Sequence, residues 1–178
     1  MGYADWNPSL DNGNVSLQSV LDTLPGNSPA EISVLVQVLE NPRSPFSLPG
    51  AVTLEIHDCV HALVGRGLLK QDEAFVIGYT MGNAKRLKYW HINLYKYYAT
   101  YIFPKQYQFG KVQLIAFDLG LTYGMTRRTK DIHKVDLTEY KKKSMSELRA
   151  KYEINIDILK KLRHAEKHMF KTKASRRL

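Results

Sequence analysis

Cysteine is almost absent from this chain, since Cys59 is the only one among 178 residues. A single thiol excludes an internal disulfide framework and any zinc site built from several cysteines. We therefore expect a reducing, intracellular compartment rather than secretion. Lysine and arginine are missing ahead of Arg43, so we expect neither a secretory signal nor an arginine-rich targeting peptide.

Long apolar runs are also absent, although 44% of the residues are hydrophobic. No stretch reaches the roughly 18 apolar residues that a membrane-spanning helix needs. The apolar content is nonetheless sufficient for a normal core, so global disorder is excluded. At about 100–200 residues per domain, the length predicts a single domain over 1–178.

Acidic residues are scarce in the last third of the chain. Residues 126–178 hold 17 basic and 7 acidic side chains, whereas residues 1–125 hold 9 basic and 10 acidic ones. The net charge of +9 is therefore a property of the C-terminal region alone. Such a region suits an anionic partner, namely membrane headgroups, nucleic acid or an acidic protein, and of these we expect a membrane surface. The alternative is a solvated helix followed by a frayed tail over 171–178.

Proline is confined almost entirely to the start of the chain, because six of the seven precede residue 50. Beyond them, apolar residues recur at helical spacing between glycine and proline breaks. Neither a strong two-residue alternation nor a hairpin signal is present. The sequence predicts an all-α, single-domain helical bundle of about seven helices, at 28–39, 51–64, 71–82, 89–103, 110–126, 144–152 and 156–170.

His57 and His61 stand four residues apart on the second predicted helix, and Asp58 follows the first of them. At this spacing two imidazole rings lie on one helix face, one turn apart, and can bind one metal ion. The break at 65–67 allows the next helix to fold back and bring Glu73 over the histidines. Two nitrogen and one or two oxygen ligands suit zinc or a similar divalent ion. Asp58 is a candidate ligand, ring partner or base, and the alternative for the histidines is ordinary packing.

The order His57-Asp58-x-x-His61, eleven residues and then Glu73 resembles the signature of the coenzyme Q (ubiquinone) biosynthesis protein four family. The specific resemblance covers residues 51–82 and departs at Asp72, where the family carries glycine. It implies an all-helical, membrane-associated protein in which His57, Asp58, His61 and Glu73 bind zinc and carry catalysis. The implied reaction is removal of the carboxyl group, with hydroxylation, at ring carbon one of a prenylated hydroxybenzoate.

Two later segments fit a prenylated aromatic or other lipid-like ligand. The aromatic stretch 89–103 and the small residues Ala116, Gly120 and Gly124 could line an apolar channel. Ordinary core packing and close helix crossing are the alternatives for these two features. The resemblance also implies a peripheral position on the membrane, on the cytoplasmic side if the source is prokaryotic. A homodimer or a biosynthetic complex is the expected assembly.

Other functions share parts of this motif. An HD-type phosphohydrolase uses the same His-Asp doublet but needs an upstream histidine, and His57 is the first in the chain. A zincin places glutamate, not aspartate, after its first histidine. A non-catalytic lipid-binding scaffold remains open, because it would use the same residues. We do not expect a nucleic-acid partner, since the basic region has few aromatic residues and no recognisable module.

Three further side chains carry no predicted chemistry. Cys59 lies on the motif helix away from the edge that holds the two histidines, so we expect a buried, inert thiol. His164 and His168 also stand four apart, but in a polar setting without an acidic partner at comparable spacing. We therefore expect this second histidine pair to be exposed.

Overall fold

The computed structural model describes residues 2–25, 42, 44, 47–126 and 131–178. Within these ranges the extended pairing consists of one isolated bridge between Ser16 and Ser144. The remaining regular structure is helical, which confirms the predicted all-α class. The described residues contain eight α-helices: α1 (Leu17–Leu21), α2 (Leu54–Val64), α3 (Lys70–Asn83), α4 (Tyr89–Tyr97), α5 (Lys111–Met125), α6 (Met145–Lys151), α7 (Ile156–Met169) and α8 (Lys173–Arg176).

Six of the seven predicted helices correspond to α2 through α7, with ends that agree within a few residues, except that α4 ends earlier and continues as a π-helical turn over Tyr98–Ile102. The predicted helix over 28–39 lies outside the described residues. The prediction of a frayed tail is wrong, because residues 173–176 form α8 and bury Ala174 and Ser175.

Helices α3 and α5 cross at the centre of the fold with their backbones in contact. Phe75 faces Gly120 and Tyr79 faces Gly124, so the two helices run in the same direction. A Cβ atom added to Gly78 would overlap the carbonyl oxygen of Phe117, and one on Gly120 would overlap that of Phe75. The small residues of α5 therefore serve close helix crossing, which leaves no channel between these two helices.

Apolar side chains form two clusters, and each includes residues of both α3 and α5. The first joins the N-terminal segment, α1, α2 and α6, and includes Trp6, Leu63 and Leu148. The second joins α4 to α5 and includes Tyr95 and Phe117, whose rings stack with centroids 5.2 Å apart. Among the described helices, none is long and apolar enough to cross a bilayer.

Part of the predicted basic region faces the interior. Arg149 is buried and donates to the carbonyl oxygens of Leu63 and Leu10, both at 2.9 Å. A cation at the carboxyl end of α2 meets the negative end of that helix and satisfies a carbonyl group left over at its terminus. Burial lowers the pKa of Arg149 to about 10. Contact between residues 126–178 and an anionic surface stays a prediction, carried by the exposed lysines rather than by this arginine.

We expect Gly120→Ala to destabilise the protein by about 2 kcal/mol or more, because the new methyl group overlaps a backbone carbonyl that cannot move aside. Intrinsic helix propensity alone would make alanine about 1 kcal/mol better than glycine. Urea unfolding followed by circular dichroism measures the difference. Gly13→Ala is the control, since its nearest contact would be an ordinary 3.5 Å. A Gly120→Ala variant as stable as the parent would contradict the close crossing.

Candidate metal centre

Helix α2 presents both histidines on one edge of a largely buried helix. It begins after Thr53, whose hydroxyl oxygen accepts a hydrogen bond from the amide of Ile56. From Cys59 to Val64 every residue of the helix is buried. His61 is fully buried, whereas the side chain of His57 keeps 14% of its surface exposed. The site therefore lies at the boundary between the core and solvent.

The turn after α2 orients the ring of His61. Gly65 ends the helix in the left-handed conformation, at a φ of 68° that a side chain rarely adopts. The following carbonyl, that of Arg66, then lies 3.3 Å from Nδ1 of His61. An Nδ1–H that donates to this carbonyl leaves Nε2 with a free lone pair. Metal-binding histidines are held in the same way in known metal sites.

Three potential ligand atoms converge at this edge. Nε2 of His57 lies 2.9 Å from Nε2 of His61 and 2.9 Å from Oε2 of Glu73. Nε2 of His61 lies 3.3 Å from the same carboxylate oxygen. Glu73 reaches them from the first turn of α3, as the sequence predicts. In the part of the chain that the structure describes, these three residues form the one group of three or more such side chains able to hold a metal ion.

The size of this triangle fits a divalent metal ion. Zinc bonds to nitrogen and oxygen are about 2.0–2.1 Å long, so neighbouring ligands of a tetrahedral site lie about 3.3 Å apart. Two of the observed separations, both 2.9 Å, are slightly shorter than this ligand spacing, and the third, 3.3 Å, equals it. Two imidazoles and one carboxylate are also a donor set that zinc accepts in catalytic sites. Three protein ligands leave a fourth position for water or substrate.

The electrostatics of the cluster keep Glu73 ionised. Burial disfavours its charged form, but the neighbouring His61 and His57 outweigh burial through their charge and hydrogen bonds. The pKa of Glu73 is consequently held well below its ordinary value. A bound cation would replace the positive charge that keeps this carboxylate ionised, and the two imidazoles would then have to be neutral, because a protonated ring nitrogen cannot bind a metal.

Asp58 does not join the three converging side chains. It lies on α2 about 100° around the helix from His57, and the group of mutually close ligand atoms excludes it. Burial raises the pKa of its carboxyl group, although the charges of His57 and His61 act in the opposite direction. Three of the four residues predicted as ligands therefore come together, and Asp58 stands beside them as a half-buried carboxyl group.

A small cavity adjoins the metal-facing edge at His57. Its volume is about 20 Å³, which is room for one water-sized group. The wall is mainly apolar and combines the loop before α2 with α3 and α4, through Leu48, Val52, Ile77 and Tyr95. The cavity thus has room for a small group beside His57, while a prenylated ring would require its walls to move apart.

The aromatic stretch lines this cavity with one side chain only. Tyr95 is buried and contacts the cavity, whereas Trp90, Tyr97 and Tyr101 are more than half exposed. Ordinary core packing, the alternative expected for this stripe, is therefore wrong for these three residues. The buried face of α4 consists instead of Ile92 and Tyr95, and it continues into Ala99 of the π-helical turn.

A second polar network fixes the start of α3 next to Glu73. Arg66 and Glu166 form a fully buried ion pair, in which Nη1 lies 3.1 Å from Oε2. Gln71 donates to the same carboxylate oxygen at 2.8 Å and to the hydroxyl of Ser175 at 3.1 Å. One helix turn of α3 is thereby tied both to α7 and to α8.

Arg177 adds a further tie between the C-terminal residues and α3. Its Nη2 lies 2.6 Å from Oδ2 of Asp72, which is fully buried. Its Nη1 also donates to the carbonyl of Ala4. Asp72 is the position where the chain departs from the family pattern, and here its carboxylate is the partner of this guanidinium group.

The sequence analysis did not predict this polar network, although the sequence contains one local indication of it at Arg66. In the sequence, Arg66 is a charged residue between two glycines. The structure buries all three residues, so the guanidinium group needs a buried partner. The partner, Glu166, lies 100 residues further along the chain. No spacing rule connects positions so far apart.

Comparison with known proteins adds no relative. No protein-family model matches the chain, and no curated protein and no solved structure matches it either. The resemblance to the coenzyme Q biosynthesis protein four family therefore stays a prediction from the motif.

We expect Arg177→Met to lower the free energy of unfolding by about 2 kcal/mol or more, because it leaves the buried carboxylate of Asp72 without its cationic partner. Arg176→Met is the matched control, since Arg176 is exposed and donates to the backbone of Lys171. That change should alter stability by less than about 0.5 kcal/mol. Urea unfolding of both variants checks this, and equal stabilities would contradict the tie.

Cys59 provides a chemical test of the packing around α2. Burial raises the pKa of its thiol to about 12, so the native protein should resist iodoacetamide at pH 8 and react after unfolding in urea. The unfolded thiol ionises near pH 8.5. Its contribution to stability is therefore fully present below that pH and is lost as the pH rises towards 12. Native labelling at the unfolded rate would contradict the burial.

Proposed function

We propose that His57, His61 and Glu73 bind one divalent metal ion, zinc by preference, and that the chain uses it on a prenylated hydroxybenzoate. The proposed reaction, implied by the sequence resemblance, replaces the carboxyl group at ring carbon one by a hydroxyl group. Carbon dioxide leaves, and a two-electron oxidant such as dioxygen must be supplied, because zinc has no redox chemistry. One observation carries this proposal, namely that three ligand atoms from two helices lie within 3.3 Å of one another. Hydrogen bonds hold these atoms together in the structure, and two imidazoles with one carboxylate are a donor set that zinc accepts.

Each residue of the site has a distinct part in this proposal. His61 is held by the Arg66 carbonyl, so its Nε2 keeps one direction. Glu73 supplies the anionic ligand and reduces the net charge of the centre. A divalent ion, when bound, would act as a Lewis acid towards the hydroxyl and carboxylate oxygens of the ring. Asp58, whose pKa is raised by burial, is the group we propose to take or give a proton beside the substrate.

A specific observation favours catalysis over the alternative, a non-catalytic lipid-binding scaffold. A structural metal has a closed shell of four protein ligands, whereas a catalytic metal keeps a position open. Three side chains converge here, and the cavity of about 20 Å³ meets the site at His57. A metal that only stabilised a scaffold would not need an open position. The HD-type alternative gains no support, because Asp58 lies outside the converging group.

Native mass spectrometry combined with elemental analysis tests the metal centre on the parent protein and on two variants. We expect one metal ion per chain in the parent, and loss of the metal in His61→Ala and in Glu73→Gln. Any lipid that copurifies would be identified in the same spectra. Circular dichroism shows whether each variant keeps its helices, which matters because His61 is fully buried.

The second histidine pair supplies the matched control. His164 and His168 are exposed on α7, as the sequence predicts, and their Nε2 atoms lie 3.1 Å apart. A double change of these two residues to alanine should leave the metal content unchanged. Equal metal content in the parent and in His61→Ala would refute the proposed centre, and loss of metal in the α7 variant would relocate it.

Asp58→Asn separates the metal from the reaction. We expect this variant to retain the metal, because Asp58 is not among the converging ligands. Release of carbon dioxide from a prenylated hydroxybenzoate should fall at least about 100-fold if Asp58 transfers the proton. Retained metal with no turnover even in the parent would favour the scaffold.

A further inference from the structure

The middle of the chain contains a cationic segment that the overall charge balance conceals. Between Glu73 and Asp118 there is no acidic residue, while six basic ones occur. Five of these six are exposed and flank α4 on both sides in the sequence, namely Lys85, Arg86, Lys88, Lys105 and Lys111. The sixth, Lys96, lies 2.8 Å from Asp118 and is neutralised by it. The segment therefore exposes five cations, and Asp131 approaches one of them, since its carboxylate accepts from the amide of Lys85 at 3.0 Å.

The same segment exposes large aromatic side chains on one face of α4 and its π-helical turn. The exposed fractions are 78% for Tyr89, 56% for Trp90, 54% for Tyr97 and 69% for Tyr101. Ile102 adds an aliphatic side chain that is 45% exposed. We call these five residues the aromatic face. Monomeric proteins rarely expose so many large apolar groups together unless the surface meets a partner.

We propose that the aromatic face of α4, with the lysines and arginine that flank it, docks onto the surface of an anionic lipid bilayer. Tryptophan and tyrosine are the residues that favour the boundary between headgroups and acyl chains, because each has an apolar body and a polar group. The flanking cations attract anionic headgroups, and each contributes additively to such binding. Aromatic and cationic side chains together provide both parts of interfacial attachment.

The geometry of the rings favours a bilayer over single-stranded nucleic acid. Bases stack on open ring faces along a cationic groove. Here the ring of Tyr97 packs at a tilt against Tyr101, with centroids 5.5 Å apart, and edge-on against Tyr98 at 6.1 Å. Trp90 is covered on one side by the ring of His91 at 3.8 Å. The surface is also the outside of a helix rather than a groove.

Charge also disfavours self-association through this face. A two-fold contact places the same patch of each copy against the other. Cations close to that patch would then face their own copies, and the sequence between 73 and 118 supplies no acidic residue to compensate. The surface of an anionic lipid bilayer would attract these cations instead of repelling them. The C-terminal third is the other cationic surface, but α7 exposes no aromatic side chain.

Sedimentation with vesicles tests the proposal on the full chain. The vesicles contain phosphatidylcholine alone or phosphatidylcholine with phosphatidylserine, and binding should be much stronger with the anionic lipid. Trp90 reports insertion by a blue shift of its fluorescence, because the only other tryptophan, Trp6, is buried and does not change. The aromatic variant combines Trp90→Ala, Tyr97→Ala and Tyr101→Ala, all exposed positions that should not disturb folding.

We expect the aromatic variant to bind anionic vesicles at least about tenfold more weakly than the parent. Changing Lys85, Arg86 and Lys88 to alanine should abolish most of the preference for phosphatidylserine. The C-terminal control changes three exposed lysines, Lys161, Lys167 and Lys171, of the region that the sequence predicts to contact an anionic surface. It should lose less binding than the aromatic variant.

Four outcomes would overturn the proposal. These are no binding by the parent, unchanged binding by the aromatic variant, loss of binding only in the C-terminal control, and binding of a single-stranded oligonucleotide in place of vesicles. The proposal does not depend on the metal centre. Metal content measured on the same aromatic variant therefore distinguishes a failure of this surface from a failure of the proposed function.

Discussion

The buried ion pair between Arg66 and Glu166 determines how α2, α3 and α7 meet. Two charges without solvent must remain paired, because separating them costs several kcal/mol. Gln71 completes the shell of the carboxylate, and the ring of Phe75 lies 3.7 Å beneath the guanidinium. The backbone of the same arginine orients His61, while Gln71 lies two residues before Glu73. His61 and Glu73 thus lie next to residues that this ion pair holds in place, although its charged groups do not belong to the three converging side chains.

The centre of the fold has no space for a ligand, and this places both candidate binding regions at its margins. Glycine contacts between α3 and α5 bring the backbones together. The metal-facing edge lies where α2 meets the first turn of α3, and the aromatic face lies on the outer side of α4. Tyr95 connects the two regions, since it lines the cavity at His57 from the helix that carries the exposed rings.

Local patterns in the sequence were sufficient to predict the positions of most helices and three of the side chains in the candidate site. Caps, breaks and apolar spacing act within a few residues, and a glycine turn between two helices makes the approach of Glu73 to His57 foreseeable. Contacts between distant positions were not foreseeable, such as Arg177 with Asp72, which gave the tail its order. The orientation of α4 was also hidden, because tyrosines occupy both its buried and its exposed face, and hydropathy does not distinguish them.

Where two backbones touch without side chains between them, there is no layer of rotatable groups to absorb displacement. We therefore expect α3 and α5 to move together as one rigid unit. Glu73 belongs to this unit, whereas His57 and His61 belong to α2. One short turn links α2 to α3. Any change in the spacing of the three ligand atoms would then come from α2 or from the side chains, since contacts with α5 hold the backbone of the helix that carries Glu73.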